Sequence, residues 1–184
     1  KFYELNEGNY NTRIVDLGNI RAGHKVSDTY VALKLLVAEL IKKNILPVII
    51  GGGQDLTYPQ FMAYEELEQK VDLLVVDSHF DLDDNIDGTI ETTSISYLNK
   101  IFLHEPNFLF NFSNIGYQTF YVNQESLKLM DKLYFDVHRL GDFSGNINLA
   151  EPVIRNANMI SFDISAIRSS DAAGNASAAV TVNP

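Results

Sequence analysis

The chain has 184 residues and a formal net charge of −10, from 24 acidic and 14 basic side chains. Its 46% hydrophobic and 21% charged residues are typical of a globular protein, and its acidic balance makes duplex nucleic acid a poor partner. The absence of cysteine excludes disulfides, thiolate metal sites and a cysteine nucleophile.

Strand-like and helix-like segments alternate along the chain. Strands are predicted at residues 13–17, 47–50, 71–77, 112–116, 133–137 and 159–164. Helices are predicted around residues 27–44, 56–69, 94–102, 124–132 and 149–156. The first helix is indicated by an apolar stripe at helical spacing, formed by Leu33, Leu36, Val37, Leu40 and Ile41.

The predicted strands are mostly continuous apolar runs rather than alternating ones. Such strands are usually covered on both faces, and helices between them favour parallel pairing. We therefore expect an α/β fold, a three-layer sandwich with a mainly parallel sheet, as a single domain over residues 1–170. Residues 171–184 (DAAGNASAAVTVNP) hold too little bulky apolar surface to offset chain entropy, so we expect a loop or tail there.

Polar side chains follow three of the predicted strands. Residues 77–81 (DSHFD) follow the strand at 71–77, Asp163 follows the last strand, and residues 51–55 (GGGQD) follow the strand at 47–50. The carboxyl ends of parallel strands share one edge of a sheet, where ligands bind. Alternate side chains after a strand point the same way, so Asp77, His79 and Asp81 can surround one point. Carboxylate and imidazole ligands suit Mn²⁺, Zn²⁺ or Fe²⁺.

The three segments together resemble the signatures of the ureohydrolases, the family of arginase, agmatinase and formimidoylglutamase. Residues 51–55 are similar to GGDHS, residues 77–81 to DAHxD and residues 161–165 (SFDIS) to SFDxD, in the family's order. The resemblance covers roughly residues 14–170. It implies an arginase-like fold and a manganese pair that activates a bridging hydroxide. That hydroxide attacks a guanidinium or formimidoyl carbon.

The resemblance also implies which residues form the site, although two positions differ from the family's motifs. Asp77, His79, Asp81 and Asp163 match metal ligands of the family, whereas Gln54 stands where the family has a histidine. The family's second aspartate in the last motif falls on Ser165, and its proton-shuttle histidine falls near Glu91. The family's first and last segments have no counterpart in this sequence. We therefore expect an arginase-like fold that is truncated at both ends relative to the family.

These departures change the expected metal content. Asp77, Asp81 and Asp163 supply three negative charges, where the family's four carboxylates balance two Mn²⁺. We therefore expect one Mn²⁺ rather than two, or none, with Gln54 as a weak ligand. Asp81 and Glu91 are the candidate catalytic residues.

Two functions follow as hypotheses. In the first, the protein is a metal-dependent hydrolase of linear amidine or guanidino C–N bonds, formimidoylglutamase-like or arginase-like. In the second, it is a catalytically inactive homologue that binds a ligand or a partner. For the first we expect a small guanidino or formimidoyl amino acid as substrate, and the family's tendency to oligomerise suggests a homo-oligomer. No apolar run approaches the roughly 18 residues that span a bilayer, and no signal-like segment opens the chain, so we expect no membrane partner and a cytoplasmic location.

Overall fold

The computed structural model describes residues 13–82, 92–168 and 170–172. The helices are α1 (Val26–Lys42), α2 (Thr57–Glu66), α3 (Tyr97–Phe102), α4 (Gln124–Lys132), α5 (Leu140–Ser144) and α6 (Ala150–Asn156). The strands are β1 (Val71–Val76), β2 (Leu109–Tyr117), β3 (Asp136–Arg139) and β4 (Met159–Phe162). From β1 onward at least one helix separates each strand from the next, as the sequence predicts, whereas α1 and α2 follow one another without a strand between them. Short 3-10 turns occupy Gln54–Leu56, Ile147–Leu149 and Ile164–Ala166.

The strands of the described residues form one parallel sheet with the order β3-β2-β1-β4. β1 lies between β2 and β4, and Val76 at its end pairs with Phe162 at the end of β4. Because the pairing is parallel and in this register, the residues that follow β1 and β4 emerge side by side at the carboxyl edge of the sheet.

Helices cover both faces of the sheet, which confirms the three-layer prediction. Leu73 and Val75 of β1 pack with buried side chains of α2, α3 and α4 in one cluster. Leu74 of β1, which points to the other face, packs with Phe143 of α5 and Ala150 of α6. A central strand covered on both faces is mostly apolar, as β1 is apart from Asp72 near its start. Helix α1 packs on the outside of α2 through Leu33, Val37 and Ala63.

Two strand predictions are wrong. Residues 13–17 and 47–50 belong to no strand, and Val15, Val48 and Ile50 are about three-quarters exposed. Their β-branched residues favour an extended backbone, but a strand also needs a neighbouring strand to pair with. No strand among the described residues pairs with either segment. Ile49 alone turns inward and packs on the α1–α2 cluster. The predicted tail lies outside the described residues from residue 173 onward.

The described helices offer no membrane-crossing candidate, since none combines sufficient length with sufficient apolar character.

Candidate active site at the carboxyl edge of the sheet

The ends of β1 and β4 place two carboxylates next to each other. Asp77 directly follows β1, and its N–H donates to the carbonyl oxygen of Ile115 on β2 at 3.1 Å. Asp163 directly follows β4, and its N–H donates to the carbonyl oxygen of Val76 at 2.9 Å. Both residues are therefore fixed to β1 or its neighbour by backbone hydrogen bonds.

The turn after β1 folds back so that Asp81 joins this edge. The His79 N–H donates to Asp77 Oδ1 at 3.0 Å, and Asn114 Nδ2 donates to the His79 carbonyl oxygen at 3.4 Å. Asp81 itself has a positive φ of 47°, which tightens the turn. Gly116 on β2 has φ 104°, a backbone conformation that favours glycine, and it lies beside the Asp77 carbonyl group.

The centre of the site is the side-chain amide of Gln54. With the amide's nitrogen and oxygen assigned from their hydrogen-bond partners, its nitrogen lies 2.9 Å from Asp163 Oδ2, 2.9 Å from Asp77 Oδ2 and 3.0 Å from Asp81 Oδ2. Its oxygen accepts a hydrogen bond from Tyr97 Oη at 3.2 Å. This orientation satisfies both ends of the amide, whereas the reverse would set an acceptor oxygen against three carboxylates.

The turn that carries Gln54 begins in a glycine run. Gly51 and Gly52 have φ of 96° and 79°, values that residues other than glycine rarely adopt. The chain then enters the 3-10 turn at Gln54 and continues into α2, where Thr57 Oγ1 hydrogen-bonds Ser161 Oγ of β4 at 2.7 Å. This bond ties the Gln54 turn to the strand that delivers Asp163.

Tyr97 is the buried neighbour that orients the amide. Its side chain has no exposed surface, and burial raises its pKa well above the ordinary value of 10.0, with a further rise from the Asp81 and Asp77 carboxylates. Tyr97 is therefore a neutral hydroxyl that donates to Gln54. Sequence reasoning missed it, because a tyrosine in a predicted amphipathic helix has the pattern of a core residue.

His79 lies beside the carboxylates rather than among the groups around the Gln54 nitrogen. Its ring stacks on Tyr121 with centroids 4.7 Å apart, and Nδ1 hydrogen-bonds Ser78 Oγ at 2.9 Å. The same Nδ1 is 3.7 Å from Asp77 Oδ1, and the side chain is 41% exposed. The other candidate outside the cluster, Glu91, falls outside the described residues.

Ser165 and Asp55, which also flank the site, are engaged in other contacts. Ser165 is buried, and its hydroxyl donates to Asp77 Oδ1 at 3.3 Å, while its N–H donates to Asp163 Oδ1 at 2.6 Å. Asp55 accepts a hydrogen bond from the Tyr30 hydroxyl at 2.5 Å, so it is turned away from the carboxylates at the edge. A hydroxyl thus occupies the position where the motif comparison calls for a fourth carboxylate.

The donor chemistry suits one hard divalent cation, but the arrangement is that of an amide site. Within residues 13–82, 92–168 and 170–172, no three His, Cys, Asp or Glu side chains are grouped at metal-binding geometry. The three carboxylate oxygens stand at hydrogen-bond distance, 2.9–3.0 Å, from the Gln54 nitrogen, whereas a zinc–carboxylate bond is roughly 2.0–2.2 Å long. The three negative charges of Asp77, Asp81 and Asp163 would suit a divalent cation in the place of the Gln54 nitrogen.

Comparison with known proteins relates the chain to one family. The model of the family described as "Arginase family" matches residues 2–180. The formimidoylglutamase of Staphylococcus epidermidis is 31% identical over 86 residues, which is 45% of this chain and 28% of that enzyme. The formimidoylglutamase of Staphylococcus haemolyticus is 30% identical over 71 residues, covering 37% of this chain and 23% of its own length.

Solved structures share the fold at lower identity. Formiminoglutamase of Trypanosoma cruzi with Mn²⁺ has a TM-score of 0.72 at 19% identity, over 82% of this chain and 52% of that one. Formimidoylglutamase of Bacillus subtilis has a TM-score of 0.73 at 17% identity, over 92% and 54%. Arginase of Bacillus subtilis has a TM-score of 0.71 at 17% identity, over 92% and 66%. The chain thus spans less than two-thirds of these relatives.

Proposed function

The chain belongs to the Arginase family, and from that premise we propose that it hydrolyses a C–N bond of a linear amidine. Formimidoyl amino acids are the first substrate class and guanidino compounds the second, because the curated relatives above are formimidoylglutamases. Water adds to the formimidoyl carbon and the bond to the amino-acid nitrogen breaks. The products are the free amine and formamide, or urea when the substrate is a guanidine.

One observation carries this proposal: carboxylates from two strand ends and one turn meet at a single point. Asp77, Asp81 and Asp163 each place an oxygen within 3.0 Å of the same nitrogen atom. Two oxygens within 3.0 Å of one atom lie at most about 6 Å apart, where like charges repel by about 3 kcal/mol or more at an effective dielectric near 20. A cluster with this cost, at the edge of a parallel sheet where ligands bind, indicates a position for a cation.

We assign that position to one Mn²⁺, held by Asp77, Asp81 and Asp163 when the Gln54 amide has withdrawn. Such an ion supplies Lewis acidity and lowers the pKa of water toward neutrality. The protein's own residues hold the carboxylates in place: Ser165 and the His79 N–H fix Asp77, and the Ser165 N–H fixes Asp163. His79, whose Nδ1 lies 3.7 Å from Asp77 Oδ1, is proposed as a further ligand of the ion.

The proton-transfer roles also remain proposals. Asp81 is assigned a catalytic as well as a ligand role, because it lies in the turn after β1 and, unlike Asp77, is only partly buried. Glu91 takes the place of the family's proton-shuttle histidine and would return a proton to the departing amine. Both assignments predict that Asp81→Asn and Glu91→Gln lower kcat more than they raise KM.

The direct test is product formation by the full chain with added Mn²⁺. Formimidoylglutamate, arginine and agmatine are offered separately, and formamide or urea is measured. The proposal expects formamide from the first substrate, and expects Asp163→Asn to reduce the rate at least a hundredfold. Asp136→Asn, an exposed carboxylate at the start of β3, is the matched control and should leave the rate unchanged. Absence of product from all three substrates, with Mn²⁺ bound, would refute the hydrolase.

A second candidate is an inactive homologue that binds a ligand. The Gln54 amide within the carboxylates and the Ser165 hydroxyl favour it, because both replace groups that the family uses to hold its metal. If the protein is such an inactive homologue, Mn²⁺ at millimolar concentration should not bind to the wild type. The double variant Gln54→His with Ser165→Asp would then create ion binding that the parent lacks.

The family resemblance also leads us to propose a cytoplasmic homo-oligomer. Light scattering of the purified full chain gives the oligomeric state, and a monomer at micromolar concentration would contradict the assembly. Cell fractionation tests the location.

A further inference from the structure

We propose that Gln54 is a built-in competitor for the cation. Its amide nitrogen occupies the meeting point of the Asp77, Asp81 and Asp163 carboxylates, so an ion binds only by displacing it. This inference rests on the proposed function in taking that point as the cation position. It makes Gln54 and Tyr97 positioning residues that set how tightly the site binds metal.

The contacts of the amide support an occupying role. An amide nitrogen carries two N–H groups, and here three carboxylate oxygens lie at 2.9–3.0 Å from it. The positive ends of the N–H dipoles therefore take the place of an ion's charge, although only in part. Two donors cannot fully satisfy three anions, so the cluster keeps an affinity for a true cation.

Tyr97 determines which end of the amide faces the carboxylates. Its buried hydroxyl donates to Gln54 Oε1 at 3.2 Å on the side opposite the carboxylates. Without that donor the amide loses the bond that holds its nitrogen inward. Thr57, three residues after Gln54, is bonded to Ser161 and keeps the backbone of the turn in place while the side chain moves.

The opposite reading makes a prediction of opposite sign. If Gln54 were a metal ligand through Oε1, the amide would have to reverse, and shortening the side chain would weaken ion binding. If Gln54 is a competitor, shortening it strengthens ion binding. The direction of the change therefore distinguishes the two roles.

The experiment titrates Mn²⁺ alone into the metal-free full chain by calorimetry. We expect Gln54→Ala to bind Mn²⁺ at least tenfold more tightly than the wild type, the effect of removing hydrogen bonds to charged acceptors. Tyr97→Phe, which keeps the ring and removes only the hydroxyl, should strengthen binding by a smaller factor. If Gln54→Ala fails to fold, the inference is tested by Tyr97→Phe, which should still bind Mn²⁺ more tightly than the wild type.

Two further measurements fix the site and the mechanism. Asp163→Asn should weaken Mn²⁺ binding at least tenfold in both the wild-type and Gln54→Ala backgrounds, which locates the ion at this cluster. In chelator, Gln54→Ala should melt below the wild type, because its carboxylates have lost their internal partner, and Mn²⁺ should raise its melting temperature more. Equal or weaker Mn²⁺ binding by both the Gln54→Ala and Tyr97→Phe variants would overturn the inference.

The inference and the proposed function can fail separately. If the wild type releases formamide but Gln54→Ala binds Mn²⁺ no more tightly, the hydrolase stands and the competitor role is wrong. If Gln54→Ala binds Mn²⁺ more tightly and neither protein turns over any substrate, the competitor role stands and the hydrolase is wrong.

Discussion

Strands β1 and β4 deliver two neighbouring carboxylates, yet they lie in very different surroundings. β1 is central and Leu74 within it is fully buried, whereas β4 is the edge of the described sheet, with Ile160 and Phe162 about half exposed. Asp77 is accordingly held from two sides, by β2 and by Ser165, and is 2% exposed. Asp163 is held by its N–H bond to Val76 and by the Ser165 N–H, and it is only partly buried. The site is therefore more deeply buried on the β1 side than on the β4 side.

The largest expected effect is on the β1 side. Leu74→Ala removes a fully buried side chain from the cluster with Phe143 and Ala150. Substitutions of this kind cost about 2–5 kcal/mol, depending on how far the cavity collapses. Urea unfolding should show a loss in this range. A loss below about 1 kcal/mol would mean that this face of β1 is not the packed core described above.

An intermediate effect is expected where the two strands are linked. Ser165→Ala removes the buried hydroxyl that donates to Asp77, and a hydrogen bond to a charged acceptor contributes about 1.5–3 kcal/mol. The variant should lose stability of that order in chelator. Ser170→Ala is the control, because that hydroxyl makes only an exposed 3.5 Å contact with Asp171 and its loss should have no measurable effect.

A smaller effect is expected on the β4 side. Ile160 pairs in register with Leu74 but is 48% exposed, so Ile160→Ala removes less buried surface. We expect a loss below about 1 kcal/mol, since exposed substitutions rarely cost more. If Ile160→Ala costs as much as Leu74→Ala in the same urea experiment, β4 is covered in solution and the contrast between the strands disappears.

The smallest effect is a dependence on alkaline pH away from both strands. The pKa of Tyr30 is raised above its ordinary 10.0, first by burial of its hydroxyl. The hydrogen bond to Asp55 and the negative charge of that carboxylate raise it further. A raised pKa means that the folded state keeps a proton which the unfolded state releases. The associated stability is therefore present below about pH 10 and is lost as pH rises further.

Tyr30→Phe should reduce the fall in unfolding free energy between pH 9 and pH 11. Tyr134→Phe, a change at a side chain that is 90% exposed, should leave that fall unchanged. Identical alkaline profiles for the wild type and Tyr30→Phe would contradict the environment described for Tyr30.

The sequence predicted the architecture well because parallel strands with helices between them leave few arrangements. It also predicted that Asp77 and Asp163 would follow strands ending at one edge. It could not distinguish an edge strand from a central one, since MISF of β4 and VDLLVV of β1 are both mostly apolar, with one polar residue each. For the same reason residues 13–17 and 47–50 were wrongly predicted as strands.

The interior of the site was less predictable. The position of the Gln54 amide depends on the backbone of the glycine run and on the hydroxyl of Tyr97, which comes from a helix more than forty residues away in the chain. Neither contact has a local sequence pattern. The motif comparison marked Gln54 and Ser165 as departures from the family, but only the packing shows that the Gln54 amide faces the carboxylates and that the Ser165 hydroxyl hydrogen-bonds Asp77.

The most direct test of the account is a double-mutant cycle between Gln54 and Asp163. The free energy of unfolding is measured in chelator for the wild type, Gln54→Ala, Asp163→Asn and the double variant. The coupling energy is the loss in the double variant minus the two single losses, so the effect of Asp163 on its own turn cancels. The account predicts a coupling energy of at least about 1 kcal/mol, because the amide donates directly to that carboxylate. Strictly additive losses would contradict it, since the two side chains would then not be in contact.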